Sequence, residues 1–200
     1  VGGANYTAVY YRTSALNFAA PISETSRNAT YWESSGTDFG SIEDPLSLRV
    51  GRDSGGINQL ALQFQLPIPP QAIIVSASLE VTAGDHQSGK PELAMSAYAE
   101  PNLAPFSPDH NGPLTGFAPL APVFVTWKAP QFHSGQTYKS PNLASLMSAV
   151  VNLPGWAEGN FFGIVINAPV AQNGEIRSIR NFKSGFGAKL SISFLHVPFS

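Results

Sequence analysis

The chain has 200 residues, 43% of them hydrophobic, which is enough apolar material for one well-buried core. Charged residues make up only 12% and the formal net charge is −2, so the basic face that a nucleic-acid binder needs is missing. Cysteine is absent, which excludes disulfides, thiolate metal sites and cysteine nucleophiles. No run approaches the roughly 18 consecutive apolar residues of a membrane span. The 18 glycines and 17 prolines are spread along the chain, as for many turns between short strands. The chain starts at Val1, and the expectation is a processed protein whose secretion signal has been removed.

In chain order, residues 1–23 read as an N-terminal arm with strand character. Tyr6, Ala8 and Tyr10 share one face, Leu16 and Phe18 extend that phase, and Val9 and Tyr11 make the other face β-compatible. Extended, Tyr6 to Phe18 would span roughly 40 Å. Free in water such an arm is an aggregation hazard, so it calls for a sheet edge, either its own or that of another copy. Glu33, Asp38, Glu43 and Asp44 are the densest acidic segment. Their oxygens suit Ca²⁺, but their spacing fits no Ca²⁺-loop motif, and a solvated turn is the alternative.

Alternating residues mark strands at Leu46, Leu48 and Val50, and at Leu60, Leu62, Phe64 and Leu66, the latter half-buried. Ile73, Val75, Ala77, Leu79 and Val81 form a further apolar face, opposite Ser76, Ser78, Glu80 and Thr82. The six prolines between Pro101 and Pro122 predict an extended loop, with Pro105, Phe106 and Phe117 as candidate partner contacts. Val123, Val125 and Trp127 alternate again, which places Trp127 in the core. A helix over about 141–152 follows from the spacing of Leu143, Leu146, Met147, Val150 and Val151, with Ser140 as its cap and Pro141 at its first position. Phe161 to Ile166, apolar on both faces, predicts a central strand; Gly174–Phe182 is a weaker one, and Leu190, Ile192 and Phe194 mark the last.

The fold expected from this pattern is all-β: a two-sheet antiparallel jelly-roll sandwich with one short helix and an N-terminal extension strand. The arm is residues 1–23 and the sandwich residues 24–200. No reactive constellation emerges. His86, His133, His110 and His196 lack metal-ligand or triad spacing, and no phosphate loop or nucleophile elbow occurs. Trp32 is the tryptophan best placed to stack on a sugar ring. Asn5 and Asn28 open Asn-x-Thr sequons, of which about two arise by chance in such a composition.

Several segments, in order, resemble DNRLRE-type secreted domains, which are related to carbohydrate-binding-module-like jelly rolls. These are Arg27 to Ser41 with its Glu33-Ser34-Ser35 and Phe39-Gly40-Ser41, then Leu48-Arg49-Val50-Gly51, Leu60 to Leu66, and Ile68-Pro69-Pro70-Gln71-Ala72 leading into Ser76-Ala77-Ser78-Leu79. Val125-Thr126-Trp127, Ser140-Pro141-Asn142-Leu143, Pro154-Gly155-Trp156 and Gly159 to Gly163 continue the likeness over roughly residues 24–197. Gln65, Gln71 and Asn28 depart from the pattern, standing where Asp, Gly and Asp are usual. The resemblance implies a jelly roll, an extracellular or cell-surface setting and, in some relatives, carbohydrate binding.

The expected function is a non-catalytic extracellular subunit that self-assembles as a homopolymer, a filament formed by donating the N-terminal strand to a neighbouring copy. The low charge fraction favours extensive buried contacts. The alternative is a polysaccharide-binding module of a larger surface protein. No cofactor is expected beyond a structural Ca²⁺, which stays open.

Overall fold

The chain's alternating patterns are realised, in a computed structural model, as two antiparallel sheets packed against each other over one core. The structure describes residues 15–23, 28–34, 37–39, 47–54, 56–106 and 119–195, with the backbone alone described at 28–34, 37–39 and 119–122. The smaller sheet has the order β1 (Leu16–Pro21), β12 (Lys189–Leu195), β6 (Ile73–Thr82), β9 (Thr137–Lys139). The larger runs β11 (Ile176–Arg180), β4 (Ser47–Asp53), β5 (Gly56–Gln65), β10 (Phe161–Asn167), β7 (Glu92–Tyr98), β8 (Pro119–Lys128). β2 (Asn28–Ser34) also pairs with β5, and β3 (Thr37–Phe39) pairs with β2. This is an all-β, jelly-roll-like sandwich.

The core lies between the sheets. β12 turns Leu190, Ile192 and Phe194 inward beside Ala77, Leu79 and Val81 of β6, and Leu60, Leu62, Phe64, Met95, Ile164 and Ile166 meet them from the other sheet. Helix α1 (Ala144–Val151) buries Leu146, Met147, Val150 and Val151 against β6, β7 and β8. Trp127 is in the core as its phase required, and Trp156 is buried with its indole N–H donating to the Ile68 carbonyl at 2.9 Å.

Four expectations need correction. The helix begins at Ala144 and Ser140 does not cap it. Instead Ser140 continues the β6 ladder: its N–H donates to the Leu79 carbonyl at 2.8 Å and its Oγ accepts from the Leu79 N–H at 2.9 Å. Asn142 Oδ1 accepts from the N–H groups of Ala77 and Ala144, so the chain is tied to β6 until the helix starts. Second, β6 does not hold one phase. Ser76 faces Ser193 and Ile74 faces Phe194, which leaves Val75 as the extra residue of a β-bulge. Ile74 therefore points inward, while Ile73 and Val75 are 55% and 50% exposed. Third, β5 is buried on both faces rather than one, with Ala61 and Gln63 fully covered. Fourth, the strand β8 begins at Pro119, inside the stretch read as loop. Among the described strands it lies at the rim of its sheet, where proline costs no ladder bond.

The cover over β5 is the segment following β7. Gln63 Nε2 donates to the Ala104 carbonyl at 2.9 Å, and Ala61, Val165, Tyr98, Leu103 and Phe106 form a second, smaller apolar cluster. Gly163 permits this close approach, since a methyl group there would collide with the side chains of Leu103 and Tyr98.

Candidate functional site at the rim of the four-stranded sheet

β1 pairs with β12 in its own chain, from Leu16 opposite Phe194 to Pro21 opposite Lys189. It thus lies within the stretch assigned to the arm, and it completes the smaller sheet. Among the described strands it has a neighbour on one side only, and no described strand pairs with the backbone groups of its outer edge. Leu16, Phe18 and Ala20 are in register with Phe194, Ile192 and Leu190, all core residues, and so share the core side of the sheet. Ala20 is 1% exposed, but Phe18 is 36% and Leu16 53% exposed. Core cover runs out along β1 toward its start.

The other face of this sheet is built of small side chains. Asn17, Ser193 and Ser76 form one cross-strand row, and Ala19, Ser191 and Ser78 the next. They line an open groove of about 420 Å³ together with Lys139, Phe18 and Ile192. Beyond it Lys189 lies opposite Glu80, which lies opposite Lys139, so the groove ends in a row of alternating charge. The opposite end is apolar, where Leu195 pairs with the exposed Ile73 beside Val75. Serine hydroxyls and the Asn17 amide can both donate and accept, so this face suits a polar, extended ligand or a flat protein surface.

The predicted site residues fall in four groups. Asn5, Tyr6, Ala8, Val9, Tyr10, Tyr11 and Phe117 lie outside the described residues, as do Glu43 and Asp44. Asn28 and Trp32 are on β2, Trp32 in register with Asn58 of β5 and Phe39 of β3; Glu33 stands opposite Asp38 across the same hairpin. Leu16 and Phe18 form the rim described above. Of the loop pair, Pro105 is exposed, whereas Phe106 is 8% exposed and packs over β10 and β5.

Two features had no signal in the sequence. His86 and His133, far apart in the chain, have ring centroids 4.9 Å apart. Among the described residues no group of three or more His, Asp or Glu gathers in metal-binding geometry. The second is Arg177 of β11, which is fully buried. Its guanidinium donates to the carbonyls of Pro130 at 2.7 Å, Ile176 at 2.8 Å, Ala129 at 3.4 Å and Gly89. It also lies over the Phe132 ring, 4.9 Å from the centroid. Burial pulls its proton affinity below the usual value, opposed by the charge of Glu175 and by Tyr138. Arginine titrates so high that the group stays charged, and carbonyl oxygens satisfy it.

No protein-family model and no curated protein matches this sequence. Among solved structures, a chain from the crystal structure of tomato aspermy virus aligns over 98% of this chain and 84% of its own, with 8% identity and a TM-score of 0.29. A likeness that slight carries no argument.

Proposed function

We propose that the chain is a non-catalytic, extracellular structural subunit that self-assembles by strand addition at the free edge of β1. The observation that carries this reading is the exposure of Leu16 and Phe18 on the core side of a rim strand. A strand laid along that edge gains ladder hydrogen bonds at about 0.5–1.5 kcal/mol each. Its inward side chains would also cover Leu16 and Phe18, and full burial of such side chains is worth about 1.5–3 kcal/mol apiece. The occupant is the arm of a second copy, residues 1–14, whose Tyr6, Ala8 and Tyr10 alternate in the phase such a strand needs. Donation from copy to copy is a heterologous contact, so it propagates as a filament.

Deleting residues 1–14 leaves β1 intact and is expected to convert polymer to soluble monomer in light scattering and negative-stain electron microscopy. Filaments of unchanged form from the truncated chain exclude the mechanism.

A second reading, polysaccharide binding, draws on the hydroxyl-lined groove of the same sheet. A glycan array separates the two, with Asn17→Ala in the groove and Trp32→Ala on β2 as variants. No retained glycan removes this reading and leaves the first untouched.

A further inference from the structure

We propose that His86 and His133 form a surface binding site for a divalent transition-metal ion of the zinc, nickel or copper type. Strand register creates this site, independently of any assembly through β1. Gln87 and Phe132 exchange both backbone hydrogen bonds, at 2.9 and 3.0 Å, in an antiparallel bridge. The residues one step out, His86 and His133, therefore stand directly opposite each other in the position where antiparallel side chains come closest. Phe132 points inward and is fully buried, so its neighbours Gln131 and His133 point outward together. The Gln131 amide reaches the His86 ring, with 3.3 Å between the two Nε2 atoms. Two imidazoles, with ring centroids 4.9 Å apart, and one amide thus lie together on one solvent-facing patch.

The pair is held in place before any ion arrives. Ser134 Oγ donates to the Gly84 carbonyl at 2.7 Å, and the His133 N–H donates to the Tyr138 hydroxyl at 2.8 Å. Tyr138 stacks on Phe132 with centroids 4.2 Å apart. Arg177 ties Gly89 to Ala129 and Pro130, joining both histidine-bearing segments from beneath. Such support limits the entropy that chelation must overcome. Imidazole nitrogen selects borderline transition metals over Ca²⁺ and Mg²⁺, which prefer oxygen. A half-turn of the Gln131 amide offers its oxygen as a third donor. The exposed side leaves remaining positions to water or to a donor from another molecule.

The test is calorimetric titration of the full chain with Zn²⁺ and Ni²⁺, paired with Cu²⁺ electron paramagnetic resonance. Expected are one strong site per chain and a spectrum showing two coordinated nitrogens. His86→Ala or His133→Ala should each weaken binding by at least the roughly 10–100-fold that loss of an outer-shell partner costs. Gln131→Glu, which supplies a carboxylate, should tighten it. His110→Ala and His196→Ala should change nothing. Both site histidines are exposed, so metal-free thermal unfolding of the variants should match the parent. Equal binding by the His86→Ala/His133→Ala double variant, or no uptake by the parent chain, overturns the proposal.

Discussion

The two sheets share one core but treat their outer faces in opposite ways. On the larger sheet the segment after β7 lies across β5 and β10, and Gln63, fully buried, is satisfied by the Ala104 carbonyl. On the smaller sheet no described residue covers the equivalent face, which is floored with serines and bounded by charge at one end and by Ile73 and Val75 at the other. Covered β-faces are where a fold stores stability; an open face with an unpaired rim is where it has room to meet something else. The contrast predicts that substitutions of similar size will divide by sheet, costing stability on one and association on the other.

The largest effect should come from Arg177→Met on β11. The aliphatic part of the cavity is refilled, but four carbonyl oxygens lose a donor, at about 1–3 kcal/mol for each left unsatisfied. A loss on the order of 4 kcal/mol in urea unfolding is expected, and a loss under about 1 kcal/mol would mean that water replaces the guanidinium. Next, Phe106→Ala should cost about 3 kcal/mol by opening the cover over Ala61 and Val165. The paired control on the other sheet, Val75→Ser, removes an exposed apolar side chain and should stay within about 0.5 kcal/mol. Similar costs for both would erase the distinction between the faces.

How far the sequence could anticipate this follows from which patterns depend on neighbours. β10 and β12 are plain in the sequence because one is apolar throughout and the other alternates cleanly. β7 passes unnoticed: Ala94, Ser96 and Ala97 are small on both faces, so the contrast of period two is faint although Leu93 and Met95 are buried. The bulge at Val75 is set by the register of β6 against β12, which no local pattern encodes. Gln63 reads as a solvent-facing residue because its partner carbonyl lies 41 positions away. The histidine pair is hidden for the same reason, being the product of one bridge between two distant turns. Of the candidate site, the sequence marks Leu16 and Phe18 as one apolar face, while the serine rows require knowing which strands adjoin.

The turn that carries the chain from the larger sheet to the smaller offers a gain rather than a loss. The Ala72 N–H donates to the Pro69 carbonyl at 3.3 Å, and Gln71 between them has φ of 60°, the left-handed region that favours glycine. An L side chain there costs about 1–2 kcal/mol, and glycine returns part of that through its freer unfolded chain. Gln71→Gly should therefore stabilise by about 0.5–1 kcal/mol in thermal unfolding. A destabilised variant would mean that the Gln71 side chain contributes contacts that offset its backbone strain.

The smallest expected change in stability is also the sharpest test of what the open sheet is for. Ser76 and Ser193 lie side by side on its outer face, away from the core, so Ser76→Lys and Ser193→Lys together should shift unfolding by no more than about 0.5 kcal/mol. Strand addition uses the rim of β1 and the core-side residues Leu16 and Phe18, which these substitutions do not touch. Filaments should persist in electron microscopy, while any polysaccharide held over the serine rows is displaced by two long ammonium side chains. Phe18→Lys inverts the pattern by placing charge where an added strand must pack, so it should abolish filaments while leaving the serine rows in place. If both variants lose assembly together, the contact is made by the serine-lined face rather than the edge, and copies stack sheet on sheet instead of strand to strand.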